Sequence, residues 1–122
     1  MIKIACKTAI KSTFDRHRLG AVIVRGHRVL ATGHNGLRYS KQIGKSTLHA
    51  EEAAIIKMLR SRRQHLLVGA DLYVSRVRPN GSIGLAKPCS RCMELIKSVG
   101  ISRVFYTTNE ERTEQINVAA NT

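Results

Sequence analysis

HAEEAAIIKMLRSRR, residues 49 to 63, is the longest stretch with the pattern of a helix, and it lies between β-rich runs. Its apolar residues leave few polar positions on a helix surface, so a helix here should be largely buried. Near its end the helix dipole favours cations, and three arginines stand there: Arg60, Arg62 and Arg63. The stretch therefore predicts a buried helix in the middle of the chain.

Four β-rich runs flank this helix: LGAVIV (19–24), RVLATG (28–33), ADLYVS (70–75) and SRVFYT (102–107). The first two are separated by a short turn containing Gly26 and His27, which predicts a hairpin. Further helices are expected from Ile2 to Thr13 and from Cys89 to Val99, the latter stopped by Gly100. Strands that alternate with helices predict an α/β layer protein, its central sheet covered by helices.

Two segments carry weaker patterns. HNGLRYSKQIGKST (34–47) is polar and contains glycine, which predicts a loop long enough to be functional. The tail ERTEQINVAANT (111–122) is ambiguous. No internal repeat, low-complexity segment or linker interrupts the chain, and 122 residues fit a single domain spanning 1–122.

The composition is that of a folded globular protein, with 43% hydrophobic and 24% charged residues. No apolar run approaches the eighteen or so residues that a membrane span needs, so no membrane partner is expected. The N-terminal run MIKIACKTAIKSTF intersperses lysine among apolar residues and does not form a signal-peptide core. A cytoplasmic location with three reduced cysteines is therefore predicted.

The charge balance is strongly basic, with 21 Lys and Arg against 8 Asp and Glu. Residues 1–109 alone carry 20 basic and 5 acidic side chains, which gives 20 − 5 = +15. Such a surface should attract polyanions through counterion release at phosphates. The alternative is that the basic surface only keeps a small protein soluble.

The run LAKPCSRCMEL (85–95) holds two of the three cysteines, Cys89 and Cys92. Their C-x-x-C spacing fits a redox pair, half of a structural zinc site or part of a catalytic one. A thioredoxin-like redox pair is expected near a βαβ pattern, whereas this pair opens a late helix. A structural zinc site needs four protein ligands, and the chain has no second knuckle.

One histidine at the start of the other helix, His49, would complete a set of three zinc ligands with Cys89 and Cys92. Three ligands leave the fourth position open for water, as in a catalytic site. Zinc lowers the pKa of bound water from about 15.7 towards roughly 7, and a carboxylate beside it can move protons. Glu51, two residues after His49, is placed for that role. Hydrolytic deamination needs this set of groups.

The run His49-Ala50-Glu51, followed by Pro88-Cys89-Ser90-Arg91-Cys92, resembles the H-x-E and P-C-x-x-C pair of the zinc-dependent cytidine and deoxycytidylate deaminase superfamily. The resemblance covers most of the chain. It implies an α/β fold, a three-layer αβα sandwich with a central mixed sheet of four or five strands. It also implies Zn²⁺ as cofactor, bound by His49, Cys89 and Cys92, with Glu51 as general acid and base.

The same resemblance implies substrate contacts and an assembly. Ala50 would offer its backbone to the base. The segment Gly33-His34-Asn35-Gly36 looks like the family's G-x-N-G segment, so Asn35 would hold the sugar. The family's members commonly assemble, so a homo-oligomer is expected.

The chain departs from its relatives at Leu85-Ala86-Lys87, where many of them carry Thr-x-Glu or Thr-x-Thr before Pro-Cys. Substrate preference should depend on this loop. Four basic residues flank the proposed site and could meet a phosphate: Lys87, Arg76, Arg78 and Arg91. The short C-terminus implies that the fifth strand and last helix of the relatives are reduced or missing.

The resemblance implies an enzyme that deaminates a cytosine base in a nucleoside or nucleotide substrate, giving uracil and ammonia. One alternative is a polynucleotide deaminase that uses the basic surface to hold single-stranded DNA, RNA or tRNA. Its activity would fall steeply with salt. Another alternative is a non-catalytic nucleic-acid-binding module with structural zinc, whose function would survive Glu51→Ala.

Overall fold

The computed structural model describes residues 1–14, 17–40 and 44–118. For residues 37–40 and 44–46 the description covers the backbone only. It contains three α-helices and a short 3₁₀ helix: α1 (Ile2–Ala9), α2 (Ala50–Arg60), α3 (Ser90–Ser98) and the 3₁₀ helix Gln64–Leu67. Its strands are β1 (Arg18–Arg25), β2 (Arg28–His34), β3 (Gly36–Ser40), β4 (Gly44–Leu48), β5 (Asp71–Val77), β6 (Ile83–Gly84), β7 (Arg103–Thr107) and β8 (Thr113–Asn117). Within these ranges, every helix is too short or too polar to cross a membrane.

The central sheet is mixed, as expected. Its strands run in the order β2-β1-β5-β7-β8, and the two-residue strand β6 pairs with β5. Strands β5 and β7 are parallel, because α3 returns the chain to the same end of the sheet, and the other pairs are antiparallel. Strands β3 and β4 form a separate two-stranded ribbon.

Helices cover the sheet on both faces, which confirms the three-layer arrangement. Alternate residues of a strand face opposite sides of the sheet. In β1, Val22 packs in a cluster with Ala5 of α1, whereas Ile23 belongs to the larger core with α2 and α3. Ile55 of α2 and Ile96 of α3 are fully buried in that larger core. The sheet is therefore the middle layer, with α1 on one face and the motif-bearing helices α2 and α3 on the other.

Helix α2 lies directly against β2 at Gly33. A Cβ atom at this position would stand 2.5 Å from the backbone nitrogen of Ala54 and 2.6 Å from the carbonyl oxygen of Ala50. Only glycine allows so close an approach of helix and strand. This contact fixes the first turns of α2, and with them His49, relative to the sheet.

The structure corrects two expectations in the first half of the chain. Helix α1 ends at Ala9, four residues before the predicted end at Thr13. The segment 34–47, expected to be a loop, supplies β3 and β4. The backbone groups of such a ribbon pair with each other and need no apolar alternation, so no strand pattern marks this segment.

The second half of the chain differs from expectation at β6 and β8. The residues after β5 turn back so that Ile83 pairs with Val77. The tail supplies β8, a fifth strand in the main sheet path that was expected to be reduced or missing. In β8 only Ile116 has an apolar side chain, set opposite Val104 of β7, so the usual alternation was too weak to reveal the strand. No helix follows β8 up to residue 118.

Candidate metal centre and active site

Two helix N-termini meet at one point. His49 is the N-cap residue of α2 and Cys89 is the N-cap residue of α3, both in extended conformation. The His49 N–H donates to Glu52 Oε1 at 3.1 Å, and Arg91 Nη2 of α3 donates to the same oxygen at 3.0 Å. Glu52 thus holds the first turns of the two helices together.

The three predicted zinc ligands converge. The ligand atoms of His49, Cys89 and Cys92 all lie within 4.8 Å of one another. His49 Nδ1 is 3.1 Å from Cys92 Sγ and 3.8 Å from Cys89 Sγ. Ligands around a tetrahedral zinc ion, at about 2.0–2.3 Å from the metal, stand about 3.5–3.8 Å apart. The distances from His49 Nδ1 to the two sulfur atoms are within about half an ångström of these values, so the set fits zinc.

Glu51 lies beside this set with a buried carboxyl group, at 4% exposure. Burial raises the pKa of the Glu51 carboxyl above 4.5, and the Glu51 backbone N–H and the charge of His49 oppose that rise in part. Burial, reinforced by the charge of Glu51, also raises the pKa of the Cys92 thiol. A bound divalent cation would favour the ionised thiol, because its positive charge would offset the cost of burying a thiolate.

A cavity of about 410 Å³ opens over these groups. That volume is in the range of small-molecule sites in proteins. Its walls combine apolar, aromatic and polar side chains: Phe14, His17, Leu19, Asn35, Thr47, His49, Ala50, Glu51, Lys87 and Cys89. Six of the seven site residues predicted from the sequence line this cavity, and the seventh, Cys92, is buried in the first turn of α3.

Asn35 lines the cavity, but its side chain is also tied to the neighbouring backbone. Its Oδ1 accepts the Leu19 N–H at 2.9 Å, and its Nδ2 donates to the His17 carbonyl. Its own carbonyl accepts the Ser12 hydroxyl at 2.9 Å. One amide hydrogen and one lone pair remain for a ligand. Asn35 therefore holds the segment before β1 against the end of β2.

Phe14 and His17 line the cavity without having been assigned to it from the sequence. Both lie between α1 and β1, where no motif marks them, and the segment reaches the site through its hydrogen bonds to Asn35. Only the tertiary structure reveals this contribution.

Of the four basic residues expected near a phosphate, Lys87 lines the cavity. Arg91 pairs with Glu52. Arg78 donates to the Ile83 carbonyl at 2.7 Å and to Asn109 Oδ1 at 2.6 Å. Arg76 has a buried Nε without a hydrogen-bond partner. Of these four residues, Lys87 is thus the one placed to meet a ligand in this cavity.

The loop that carries Lys87 is held by the end of β7. The Leu85 N–H donates to Asn109 Oδ1 at 3.0 Å, and the Ala86 N–H donates to the Thr107 carbonyl at 2.9 Å. The Thr107 hydroxyl donates to the Gly84 carbonyl at 2.7 Å. Backbone bonds on consecutive residues leave this loop little freedom. The loop that departs from the family's usual sequence is therefore rigidly placed.

Comparison with known proteins matches residues 1–108 to the family described as the cytidine and deoxycytidylate deaminase zinc-binding region. The chain belongs to this family. The match includes His49, Glu51, Cys89 and Cys92, the residues whose convergence is described above. It confirms the expected superfamily, the expected zinc cofactor and the expectation of a zinc-dependent hydrolase.

Three relatives illustrate the range of this deaminase family. The chain is 31% identical over 126 residues to the deoxycytidylate deaminase of Mycobacterium phage D29, covering 84% of the chain and 88% of the phage protein. It is 32% identical over 98 residues to the tRNA-specific adenosine deaminase of Agrobacterium fabrum, covering 80% of the chain but 56% of that protein. The dCMP deaminase of cyanophage S-TIM5, solved in complex with dCMP and dUMP, superposes with a TM-score of 0.68 at 25% identity, covering 88% and 77% of the two chains.

The geometry of this deaminase defines what its residues can do. A zinc ion, when bound, keeps a position for water and lowers the pKa of that water towards about 7. The ligand set faces the cavity through His49 and Cys89, whereas Cys92 is buried. The Glu51 carboxyl, with its raised pKa, can exchange a proton at that side of the cavity. The arrangement suits hydrolysis rather than redox chemistry.

Proposed function

We propose that the protein deaminates the cytosine base of a free nucleoside or nucleotide, converting cytosine and water to uracil and ammonia. The observation that carries the proposal is the buried Glu51 carboxyl next to three convergent metal-ligand atoms, at the wall of one small-molecule cavity. A carboxylate in that position has no structural task that an apolar residue would not perform better.

Each residue of the site has a role in this proposal. His49, Cys89 and Cys92 hold zinc. Glu51 takes one proton from the attacking water and delivers it to the ring nitrogen N3, then takes the second proton from the added hydroxyl and delivers it to the leaving amine. The buried Ala50 presents its backbone to the base at the start of α2, where side-chain bulk would narrow the cavity.

A nucleotide is the form of substrate that the cavity wall supports best. Lys87 is exposed at the wall and lies in the loop fixed by Asn109 and Thr107, so its ammonium can reach a phosphate. Asn35 keeps hydrogen-bonding capacity for a sugar hydroxyl. The deoxycytidylate deaminases among the relatives, including the structure with dCMP and dUMP, agree with this choice.

A polynucleotide substrate is the second candidate. The tRNA-specific adenosine deaminase relative and the net charge of +13 favour it. A polymer held by many phosphate contacts would lose affinity steeply with salt, whereas a free nucleotide would not. Salt dependence of turnover therefore separates the two candidates.

The test is ammonia release from a panel of cytidine, deoxycytidine, their monophosphates, adenosine and single-stranded oligonucleotides, measured at two salt concentrations. We expect turnover of a cytosine nucleotide with a weak salt dependence. Glu51→Ala should reduce the rate by about 10²–10⁴-fold. Equal turnover by Glu51→Ala would contradict the mechanism, and turnover of oligonucleotides alone would favour the second candidate. Unimpaired nucleic-acid binding without any turnover would support a non-catalytic zinc module.

We further propose that the protein works in the cytoplasm as a homo-oligomer. All three cysteines are unpaired thiols in the structure, which suits a reducing compartment. The oligomer follows from the family resemblance alone. Light scattering at several protein concentrations tests it, and a single monomeric mass at all of them would contradict it.

A further inference from the structure

Helix α2 and strand β1 both begin beside the cavity, and both end on the side of the molecule away from it. Helix α2 begins at the metal ligands and ends at Arg60, and an 11-residue helix is about 16 Å long. Strand β1 begins beside the cavity at Leu19 and ends at Arg25. Arg25 Nη1 donates to the Leu66 carbonyl at 3.3 Å, which joins the β1–β2 turn to the segment after α2.

Five arginines lie on the chain segments at this end, which we name the basic pole: Arg25, Arg28, Arg60, Arg62 and Arg63. Arg28 lies opposite Arg25 across the β1–β2 turn. Four of the five are exposed and Arg63 is half-buried. Arg63 Nε donates to the Ser61 hydroxyl at 2.9 Å, so this guanidinium, like that of Arg25, is held in place.

Carboxylates are scarce at the basic pole. Among the described residues, Asp71 is the acidic residue at this end of the sheet, opposite Val24, and it pairs with Arg103 at 2.7 Å. Glu51 and Glu52 stand at the cavity end of α2, and Glu110 and Glu111 lie in the turn after β7, at the cavity end of the sheet. These acidic side chains thus lie away from the pole or are paired, and the pole keeps a net positive charge.

Helix-dipole capping accounts for only part of this cluster. Arg60, Arg62 and Arg63 suit the C-terminus of α2, and Arg25 donates to the Leu66 and Val68 carbonyls at the end of the 3₁₀ helix. Arg28, in contrast, belongs to strand β2. Arginine presents a planar set of donors that matches phosphate oxygens. Five such groups around one end of a small protein are the electrostatic footprint of a phosphate polymer.

Nucleic acid fits the basic pole better than a lipid surface. Helices that bind membranes insert aromatic and large apolar side chains beside their cations. The described aromatic side chains lie elsewhere: Phe14 at the cavity, and Tyr73, Phe105 and Tyr106 within β5 and β7. The exposed large apolar side chains described near the pole are three aliphatic ones: Val29, Leu59 and Val68. Without aromatic platforms, contacts to bases are also few. Recognition at the pole should therefore depend on the phosphate backbone and be independent of base sequence.

We propose that the basic pole docks the protein on the phosphate backbone of nucleic acid while the catalytic cavity, at the opposite end, stays open. This docking is separate from the proposed function, because it requires neither zinc nor a cytosine base. It differs from a substrate channel, in which the bound strand would have to enter the cavity.

The experiment measures binding of the full-length protein to fluorescein-labelled oligothymidine of about twenty nucleotides by anisotropy over a range of salt concentrations. The test variant combines Arg28→Gln, Arg60→Gln and Arg62→Gln. The matched control combines Lys3→Gln, Lys7→Gln and Lys11→Gln, which removes the same charge from exposed positions on α1 and in the turn after it. Circular dichroism and thermal melting verify the fold of both variants.

We expect the pole variant to bind at least about tenfold more weakly, with the slope of log K against log salt reduced by about 2, while the control changes by less than about threefold. Turnover of a free cytosine nucleotide should be equal in all three proteins. Equal weakening by both variants would show that binding follows diffuse net charge and would overturn the proposal. So would the absence of binding by the unaltered protein, or a pole variant that loses binding to phosphatidylserine vesicles but not to the oligonucleotide.

Discussion

Cys89 and Cys92 differ in their surroundings although both belong to one C-x-x-C motif. Cys92 is 1% exposed in the first turn of α3, whereas Cys89 is exposed at its N-cap. This difference places one thiol at the base of the metal site and the other at its rim. The chemistry of the set could be predicted from sequence, because ligand spacing within one helix turn is a local property. The distinction between base and rim could not, because it depends on packing against α2.

Replacement of Cys92 by alanine should abolish zinc binding, because two ligands no longer hold the ion in tetrahedral geometry. We expect close to one zinc ion per chain in the unaltered protein and close to none in Cys92→Ala, measured by elemental analysis of purified protein. Cys6→Ala is the matched control, since Cys6 lies against Ser75 on the other face of the sheet, with Sγ 2.9 Å from its hydroxyl oxygen. Equal zinc content in the two variants would contradict the assignment.

The connection from β5 to α3 is the element in which this chain departs most from its relatives. Asn109 Oδ1 accepts hydrogen bonds from both arms of this connection, from Arg78 Nη2 and from the Leu85 N–H. One carboxamide oxygen thereby links the β5–β6 hairpin to the loop that carries Lys87. We infer that Asn109 is a positioning residue for that loop.

Asn109→Leu should release the loop and raise the KM for a nucleotide about three- to tenfold, because each lost hydrogen bond weakens the placement by about 1 kcal/mol. The kcat and the zinc content should stay within about twofold, since Asn109 does not line the cavity. Asn109→Asp keeps the accepting oxygen and should restore the KM. Steady-state kinetics of the three proteins check this, and a loss in Asn109→Asp as large as in Asn109→Leu would refute it.

Regular elements were predictable where periodicity was strong. Helix α2 matches its expected position within three residues and the β1–β2 hairpin within one, because apolar spacing and turn chemistry agree there. The ribbon β3–β4 and strand β8 were not predicted, because their pairing rests on backbone hydrogen bonds and on few apolar contacts. The hydrogen bonds from Asn35 to the backbone of His17 and Leu19 were also not predicted, since they join residues far apart in sequence.

The layered architecture brings the two motif-bearing helices to one face of the sheet, and their N-termini to one point. Besides their contacts in the larger core, α2 and α3 are joined at their N-termini by the ion pair of Glu52 and Arg91. This exposed pair contributes little to stability on its own. A zinc ion bound by one residue of α2 and two of α3 would cross-link them. The resident metal should therefore stabilise the whole domain.

Removal of the metal by a chelator should lower the melting temperature by about 10 °C, since binding at 1,000 times Kd contributes about 4 kcal/mol to folding. Activity should be lost in parallel, and added zinc should restore both. Differential scanning fluorimetry with and without chelator measures the shift. Cys92→Ala serves as the control, and its melting temperature should not respond. A chelator effect of the same size in both proteins would mean that zinc at this site is not responsible.

The central claim is that water, with Glu51 moving its protons, replaces the amino group of a cytosine nucleotide. The most direct measurement is mass spectrometry of the product formed from deoxycytidine monophosphate in ¹⁸O-labelled water. The account predicts one ¹⁸O atom in each uracil product, released with one ammonia, and a rate at least about 10²-fold lower in Glu51→Gln with its zinc content unchanged. Product without the label, or full activity in the zinc-loaded Glu51→Gln protein, would contradict it.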